Sequence, residues 1–347
     1  MLRSALFIAL LAVCALDRAP AADDPQQALA ALCRRLGTEM TAADRFWTAG
    51  EDGFLFLLGE IRHAGAGPFW GDAAQQASQS RREPFRDPLP VIIDTHRQLA
   101  AMGIELVLAP VPNRPQVYPD RLPGSDLEPV AGSDRHHQDF IAALRQADIA
   151  VVDLLPALRA GRAEDAGQGP VSCRADTHWS PRGAAIAAAA IAAAIADRPW
   201  LQALEREDFI TMEHELTVIG DLARMAGQEQ GETLPLVTVL GADAAPLRPD
   251  PASPILLLAD SHGLVFETGG DMFAEASGVA AHLALNLGRR IDVLARRGDA
   301  ITTIRRDLSD RFYDDHAWRA GKRLIVWCFA ERQYTETAGW MPIRLDE

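Results

Sequence analysis

Near neutral pH a serine hydroxyl is a poor nucleophile. It attacks an acyl carbon only when a base within hydrogen-bond reach takes its proton and a carboxylate orients that base. Two short stretches carry these residue types. In Asp176-Thr-His-Trp-Ser-Pro181 an aspartate and a histidine stand two apart in a turn that ends at a proline, so both side chains can project to one side. In Ile255-Leu-Leu-Leu-Ala-Asp-Ser-His-Gly263 an apolar run breaks into a polar turn. The run reads as a short buried strand, its glycine allows a sharp bend, and a serine at the carboxyl end of such a strand stands where open α/β sheets place their ligands. Taken alone, this is more often an ordinary turn after a strand. The Asp176 turn shifts the balance: Ser261 is the candidate nucleophile, His178 the base and Asp176 its orienter.

Rival readings of the same residue types are weaker. Asp94-Thr-His96 repeats the tripeptide inside a helical pattern, where residues two apart do not face each other, so these two read as surface or packing residues. A metal site built from both copies is the lesser alternative; neither a metal nor a cofactor is expected. His262 ranks second as base, because neighbours at a tight turn rarely share a direction. His136-His137 reads as solvated surface. Cys173, close to the Asp176 turn, reads as a structural thiol or disulfide partner before a nucleophile.

The chain has 347 residues, 48% of them hydrophobic, enough for one large core or two small ones. Its net charge of -14 argues against nucleic acid as a partner. The N-terminus reads as an export signal over residues 1–22: Arg3 is the positive start, Ala5 to Leu16 the apolar region, and Ala19-Pro-Ala21 and Pro20-Ala-Ala22 are small-residue cleavage sites. A periplasmic location follows. The apolar run is shorter than the about 20 residues of a membrane span. Past it remain Cys33, Cys173 and Cys328, and export permits one bridge and one free thiol among them.

The positioning elements follow from pattern. Residues 23–50 read as a helical lead-in, and 51–347 as the main domain. Within it, Asp52 to Leu58 gives a turn and a strand. Residues 62 to 80, rich in Gly, Ala and Gln, form a loop able to lie over the site. Strands are expected at Ile104–Ala109, Ile149–Asp153, Ile255–Ala259, Ile291–Leu294 and Arg323–Phe329. Helices are expected at Pro90–Met102, His137–Ala147, Pro181–Ala196 capped by Ser180, Ala276–Leu287 and Ala300–Leu308. Leu201 to Pro254 reads as irregular, with Gly220-Asp-Leu222 its clearest feature. Alternating strands and helices imply an α/β fold, a mostly parallel sheet with helices on both faces.

Five stretches resemble the alginate O-acetyltransferase family, the periplasmic SGNH-hydrolase-like proteins of exopolysaccharide acetylation. They are Gly53-Phe-Leu-Phe56, Val111-Pro-Asn-Arg-Pro-Gln-Val-Tyr-Pro119, Asp176-Thr-His-Trp-Ser-Pro181 with Gly183-Ala184, Ala259-Asp-Ser-His262 and Val326-Trp-Cys-Phe-Ala-Glu-Arg332, spread over roughly residues 50 to 335. The resemblance implies a three-layer αβα SGNH-hydrolase-like fold. It implies a motif order, Asp and His before Ser, that looks circularly permuted from ordinary SGNH hydrolases. Carried over, Ser261 accepts the acyl group, His178 is its base and Asp176 the orienter. Two departures stand out: Ala259 replaces the usual glycine before Asp-Ser, and His262 follows the serine. For the oxyanion, the Ser261 backbone N–H is the natural donor, with the Asn113 amide, Arg114 or Tyr118 as second candidates; Arg332 reads as structural, paired with Glu331 or another acid. The implied activity is O-acetyl transfer onto hydroxyls of an exported polysaccharide, with a membrane-bound protein as acetyl donor, because acetyl-CoA is cytoplasmic. A carbohydrate acetylesterase and a non-catalytic polysaccharide-binding subunit are the alternatives. From Arg289 to Arg323, ten basic residues against six acidic ones suggest a patch for an acidic polymer.

Overall fold

A computed structural model describes residues 24–129, 132–298 and 301–345; the expected signal segment lies outside them. Nine strands occur among these residues: β1 Trp47–Ala49, β2 Leu55–Leu57, β3 Glu105–Val111, β4 Ala150–Val151, β5 Ile210–Val218, β6 Glu232–Leu240, β7 Ile255–Ala259, β8 Asp292–Ala295 and β9 Leu324–Ala330. Five of them form one sheet in the order β4-β3-β9-β7-β8, and every neighbouring pair is parallel. β7 is buried along its whole length, and so is β9. That is why both read as unbroken apolar runs instead of alternating ones.

The pleat divides the core in two. Val107, Ala109, Ile255, Leu257, Val326 and Cys328 face one cluster, shared with the helices Pro25–Ala42, Leu58–Gly65, Leu155–Arg162, Pro181–Ile195 and Val279–Leu287. Leu106, Leu108, Leu256, Leu258, Ile325 and Trp327 face the other, shared with Pro88–Ala101, Arg135–Gln146 and Ile301–Asp314. The result is the expected three-layer αβα arrangement. Each fully buried leucine on β7 contributes roughly 1.5–3 kcal/mol.

The chain steps from β3 outward to β4 on one edge and from β7 outward to β8 on the other, and β9 fills the gap between. This reversal is a topological switch point, the place where parallel sheets open a crevice at their carboxyl ends. Three loops leave the sheet there: Asn113-Arg114 after β3, Asp260-Ser261-His262 after β7 and Glu331-Arg332 after β9.

Several expectations change. The stretch 201–254 is not irregular: β5 and β6 pair antiparallel over nine residues each, from Ile210↔Leu240 to Val218↔Glu232. Residues 62–65 continue the helix Leu58–Gly65. Beyond it the segment is tied down to the C-terminal stretch, where Gln79 N donates to Thr335 O at 2.7 Å and Ser80 Oγ to Ala338 O at 2.7 Å. The three described cysteines are all free and buried, so no bridge forms among them. His137 is buried, not solvated. It opens the inward face of the Arg135–Gln146 helix, which continues through Phe140, Ile141 and Leu144, at helical spacing. Its Nδ1 lies 3.1 Å from Glu331 Oε1 and its Nε2 3.8 Å from Asp153 Oδ1. No described helix is long and apolar enough to cross a membrane.

Candidate active site

β7 delivers Ser261 into a single turn, Ser261–Gly263, begun by the Asp260 side chain, which accepts from His262 N–H at 2.9 Å. The glycine after the turn serves close packing instead of an unusual backbone angle. A Cβ on Gly263 would stand 2.5 Å from the Cβ of Ala259. That Ala259 methyl and the bare Gly263 are therefore complementary.

The second loop folds against this turn as a narrow hairpin. Cys173 N donates to His178 O at 3.2 Å and Ser180 N to Val171 O at 3.0 Å. Ser180 Oγ then caps the Pro181–Ile195 helix by accepting from Gly183 N at 3.1 Å. Gly183 is required by approach, since its Cβ would meet Val171 O at 2.0 Å. These contacts fix the direction in which His178 leaves the chain. His178 Nε2 lies 2.8 Å from Ser261 Oγ, and His178 Nδ1 lies 2.6 Å from Asp176 Oδ1. Asp176, His178 and Ser261 thus form one hydrogen-bonded chain, with the first two buried and the serine partly open.

Asp176 is itself held. Its Oδ2 accepts from Asp221 N at 2.8 Å, and the Asp221 carboxylate accepts in return from Thr177 N at 2.7 Å and Thr177 Oγ1 at 2.6 Å. Burial works to raise the Asp176 carboxyl, but the hydrogen bonds and charge of His178 and the Asp221 N–H outweigh it and bring it down to about 2. The ionised Asp176 in turn raises His178 above its ordinary 6.5, against the opposing effect of burial. Asp176, His178 and Asp221 bring ligand-type atoms within 4.8 Å of one another. Hydrogen bonds among them and to Ser261 and Thr177 account for that grouping. Asp221 was not among the residues singled out for chemistry; its only trace in the sequence is the Gly220-Asp-Leu222 turn.

The candidates for a second oxyanion donor have other duties. The Arg114 guanidinium donates to the carbonyls of Leu55 and Asp176, which ties the Asp176 loop to β2. Tyr118 donates its hydroxyl to Asp165 Oδ2 at 2.7 Å and accepts from Val171 N at 3.0 Å. Asn113 Nδ2 donates to Gln116 Oε1 at 3.2 Å and Glu331 Oε2 at 3.3 Å. None of the three is hydrogen-bonded to Ser261. The Ser261 backbone N–H, by contrast, makes no hydrogen bond among the described residues.

The rival residues separate clearly. Asp94 is exposed and accepts from Gln98 Nε2 at 2.8 Å on its own helix. Burial pushes the Cys173 thiol up, and it donates to Trp179 O at 3.4 Å. Arg332 pairs with Glu60 at 3.5 Å, not with its neighbour Glu331. His262 does share the site: its ring stands edge-on to His178 with centroids 4.9 Å apart. No hydrogen bond joins it to Ser261 among the described residues; its own ring nitrogen Nδ1 is engaged by Asp260 at 3.0 Å. In the basic segment from Arg289 to Arg323, at least half of the ten cationic side chains are already engaged or buried. Arg290, Arg296 and Arg297 pair with Glu207, Asp307 and Asp271, Arg305 is buried, and Lys322, buried, pairs with Asp292.

Comparison with known proteins places the fold. The chain is 33% identical over 199 residues to the probable alginate O-acetylase AlgJ of Pseudomonas aeruginosa, covering 54% of this chain and 45% of that protein. It is 37% identical over 178 residues to the protein of the same description from Pseudomonas fluorescens, covering 51% and 42%. The matched stretch thus spans less than half the length of each of these relatives. The O-acetyltransferase domain of Pseudomonas putida AlgJ shares the fold at a TM-score of 0.59 and 24% identity, over 83% of this chain and 91% of that one. Pseudomonas aeruginosa AlgX does so at 0.58 and 18%, over 88% and 66%. Residues 48–331, which run from β1 through the end of β9, match the family described as SGNH hydrolase-like domain, acetyltransferase AlgX, and the chain belongs to that family.

Proposed function

We propose that the protein is an O-acetyltransferase that carries an acetyl group on Ser261 and passes it to a hydroxyl of an exported polysaccharide, alginate or a similar polymer. The observation that supports this most is the continuous chain from Asp176 through His178 to Ser261, with contacts of 2.6 and 2.8 Å. Ser261 Oγ attacks the acyl carbon of the donor while its proton passes to His178 Nε2. The unbonded Ser261 N–H stands ready for the oxyanion. Collapse releases the donor's leaving group, which takes the proton from His178 and leaves an acetyl ester on Ser261. An acceptor hydroxyl then repeats the sequence: its proton goes to His178, its oxygen bonds the acetyl carbon, and Ser261 Oγ leaves with the proton returned. Export directed by residues 1–22 places this chemistry in the periplasm, and a membrane-bound protein supplies the acetyl group there.

The test is intact mass after exposure to an activated acetyl ester, followed by the rate of acetyl release with and without oligosaccharide. Wild type is expected to gain one acetyl and Ser261→Ala none, and release to sugar is expected to outrun release to water. Release to water alone identifies an esterase. Folded wild type that gains no acetyl overturns the nucleophile and leaves a polysaccharide-binding subunit.

A further inference from the structure

Facing Asp176–His178, the structure repeats the same unit. Asp260 Oδ1 accepts from His262 N at 2.9 Å and from His262 Nδ1 at 3.0 Å. Asp176 Oδ1 accepts from His178 N at 3.1 Å and from His178 Nδ1 at 2.6 Å. Asp260 is anchored too, its Oδ2 accepting from Ala330 N at 2.8 Å. Beginning the Ser261 turn requires only the bond from His262 N–H; the second bond to the ring fixes the imidazole. Trp179 also packs against that ring, edge-on at 5.2 Å.

The bond to Asp260 settles which nitrogen carries the proton. Nδ1–H donates to the carboxylate, so Nε2 holds a lone pair. Burial lowers the His262 pKa, and the charges of His178 and Arg332 add to that against the pull of Asp260, so the ring is neutral at neutral pH. Nε2 makes no hydrogen bond among the described residues, and it is not sealed away as the ring nitrogens of His137 are. The proton shuttle has no use for a second base, since the Ser261 proton already has a destination 2.8 Å away on His178. A fixed, neutral, unbonded acceptor beside the reacting centre is suited to receive a hydrogen bond from an alcohol.

We infer that His262 Nε2 binds a second hydroxyl of the acceptor, adjacent to the one being acetylated, so that the site selects a vicinal diol, the unit of a sugar ring, over a simple alcohol. This rests on the reading above, because it requires the Ser261 acyl-enzyme. A simple alcohol offers one O–H and cannot donate to both histidines while it attacks, whereas a vicinal diol offers one to each.

The experiment acetylates the protein with an activated acetyl ester. It then measures how the acyl-enzyme partitions between 1-propanol and 1,2-propanediol at equal concentration. Wild type is expected to favour the diol by about tenfold, the scale of one hydrogen bond. His262→Phe keeps a ring in place but has no acceptor, and is expected to lose that preference, which is a ratio read within one acyl-enzyme and does not depend on how fast Ser261 is acetylated. His262→Gln, whose Oε1 can accept, is expected to keep part of the preference. Acyl-enzyme that forms normally but shows no diol preference in wild type, or the same preference in His262→Phe, overturns the inference alone. Absence of any Ser261-dependent adduct on folded wild type overturns the underlying reading and this inference with it.

Discussion

Among single residues, the protonation of His178 is the controlling quantity. Only the neutral ring can take the Ser261 proton, and Asp176 holds the His178 pKa above 6.5. The acylation rate should therefore rise with pH through a midpoint above 6.5, as read from the burst phase with a nitrophenyl ester. In Asp176→Asn the raising charge is gone while the burial that lowers the pKa remains. The midpoint should move down, and the rate should fall by roughly 10³–10⁴-fold because the ring loses its orienter. An unmoved midpoint would show that Asp176 does not set the base. Asp176, His178 and Ser261 were legible because two tripeptide-scale spacings, each at the end of an apolar or helical signal, point to a serine and a base. Asp221 was not legible: it acts on Asp176 from 45 residues away, and no local pattern announces a carboxylate that works by accepting Thr177. His262 was visible as a second base, but its place beside the His178 ring was not legible, because that contact is made between two loops far apart in the chain.

At the scale of elements, precision comes from backbone segments in contact, and glycines allow that contact. Gly220 has an ordinary φ of −67, so its role is approach alone. A Cβ there would stand 2.0 Å from Ala175 O and 2.7 Å from Asp176 Cβ. Gly220→Ala should push the Asp221 segment off the Asp176 loop and break the 2.8 Å bond from Asp221 N to Asp176 Oδ2. It should cost about 1–3 kcal/mol in stability, as overpacking does, and lower the acylation rate of the protein that remains folded. Gly321→Ala is the control, because nothing lies within 4 Å of its added Cβ. Equal burst rates in the two variants would show that the Asp221 clamp is dispensable. The five-stranded sheet was legible since its strands are buried and read as apolar runs bounded by turn residues. The β5–β6 ribbon was not. Most of β5 is exposed, and Pro235 interrupts the sequence of its partner, so neither an apolar run nor a clean alternation marks it.

Across the whole molecule, charge is spent on structure before function. Lys322 shows this most simply: it is the single lysine of the chain, and it donates to Pro251 O, Ser253 O and Asp292 Oδ2 in the interior. The basic segment from Arg289 to Arg323 is thinned for the same reason: Arg290, Arg296 and Arg297 already face carboxylates, which a count of arginines along the chain does not show. Glu267 is the opposite case, a buried acid with no cation. Its Oε2 accepts from Ala281 N at 3.1 Å, and burial pushes its carboxyl from 4.5 up to about 7 despite the N–H donors at the start of the Val279–Leu287 helix. A raised acid binds its proton more tightly folded than unfolded. Its stabilising contribution is therefore complete below pH 4.5 and lost as the pH rises through about 7. The shift corresponds to at most ~3 kcal/mol. In Glu267→Gln that pH-dependent component is absent, whereas every other titrating group contributes equally to both proteins. The difference in unfolding free energy, wild type minus variant, measured in urea at pH 5, 6, 7 and 8, should fall steadily toward the variant's favour and level off above about pH 7. A difference that stays flat across that range would mean that Glu267 ionises as freely folded as unfolded, and that the N-terminal N–H groups of the helix offset the whole cost of its burial.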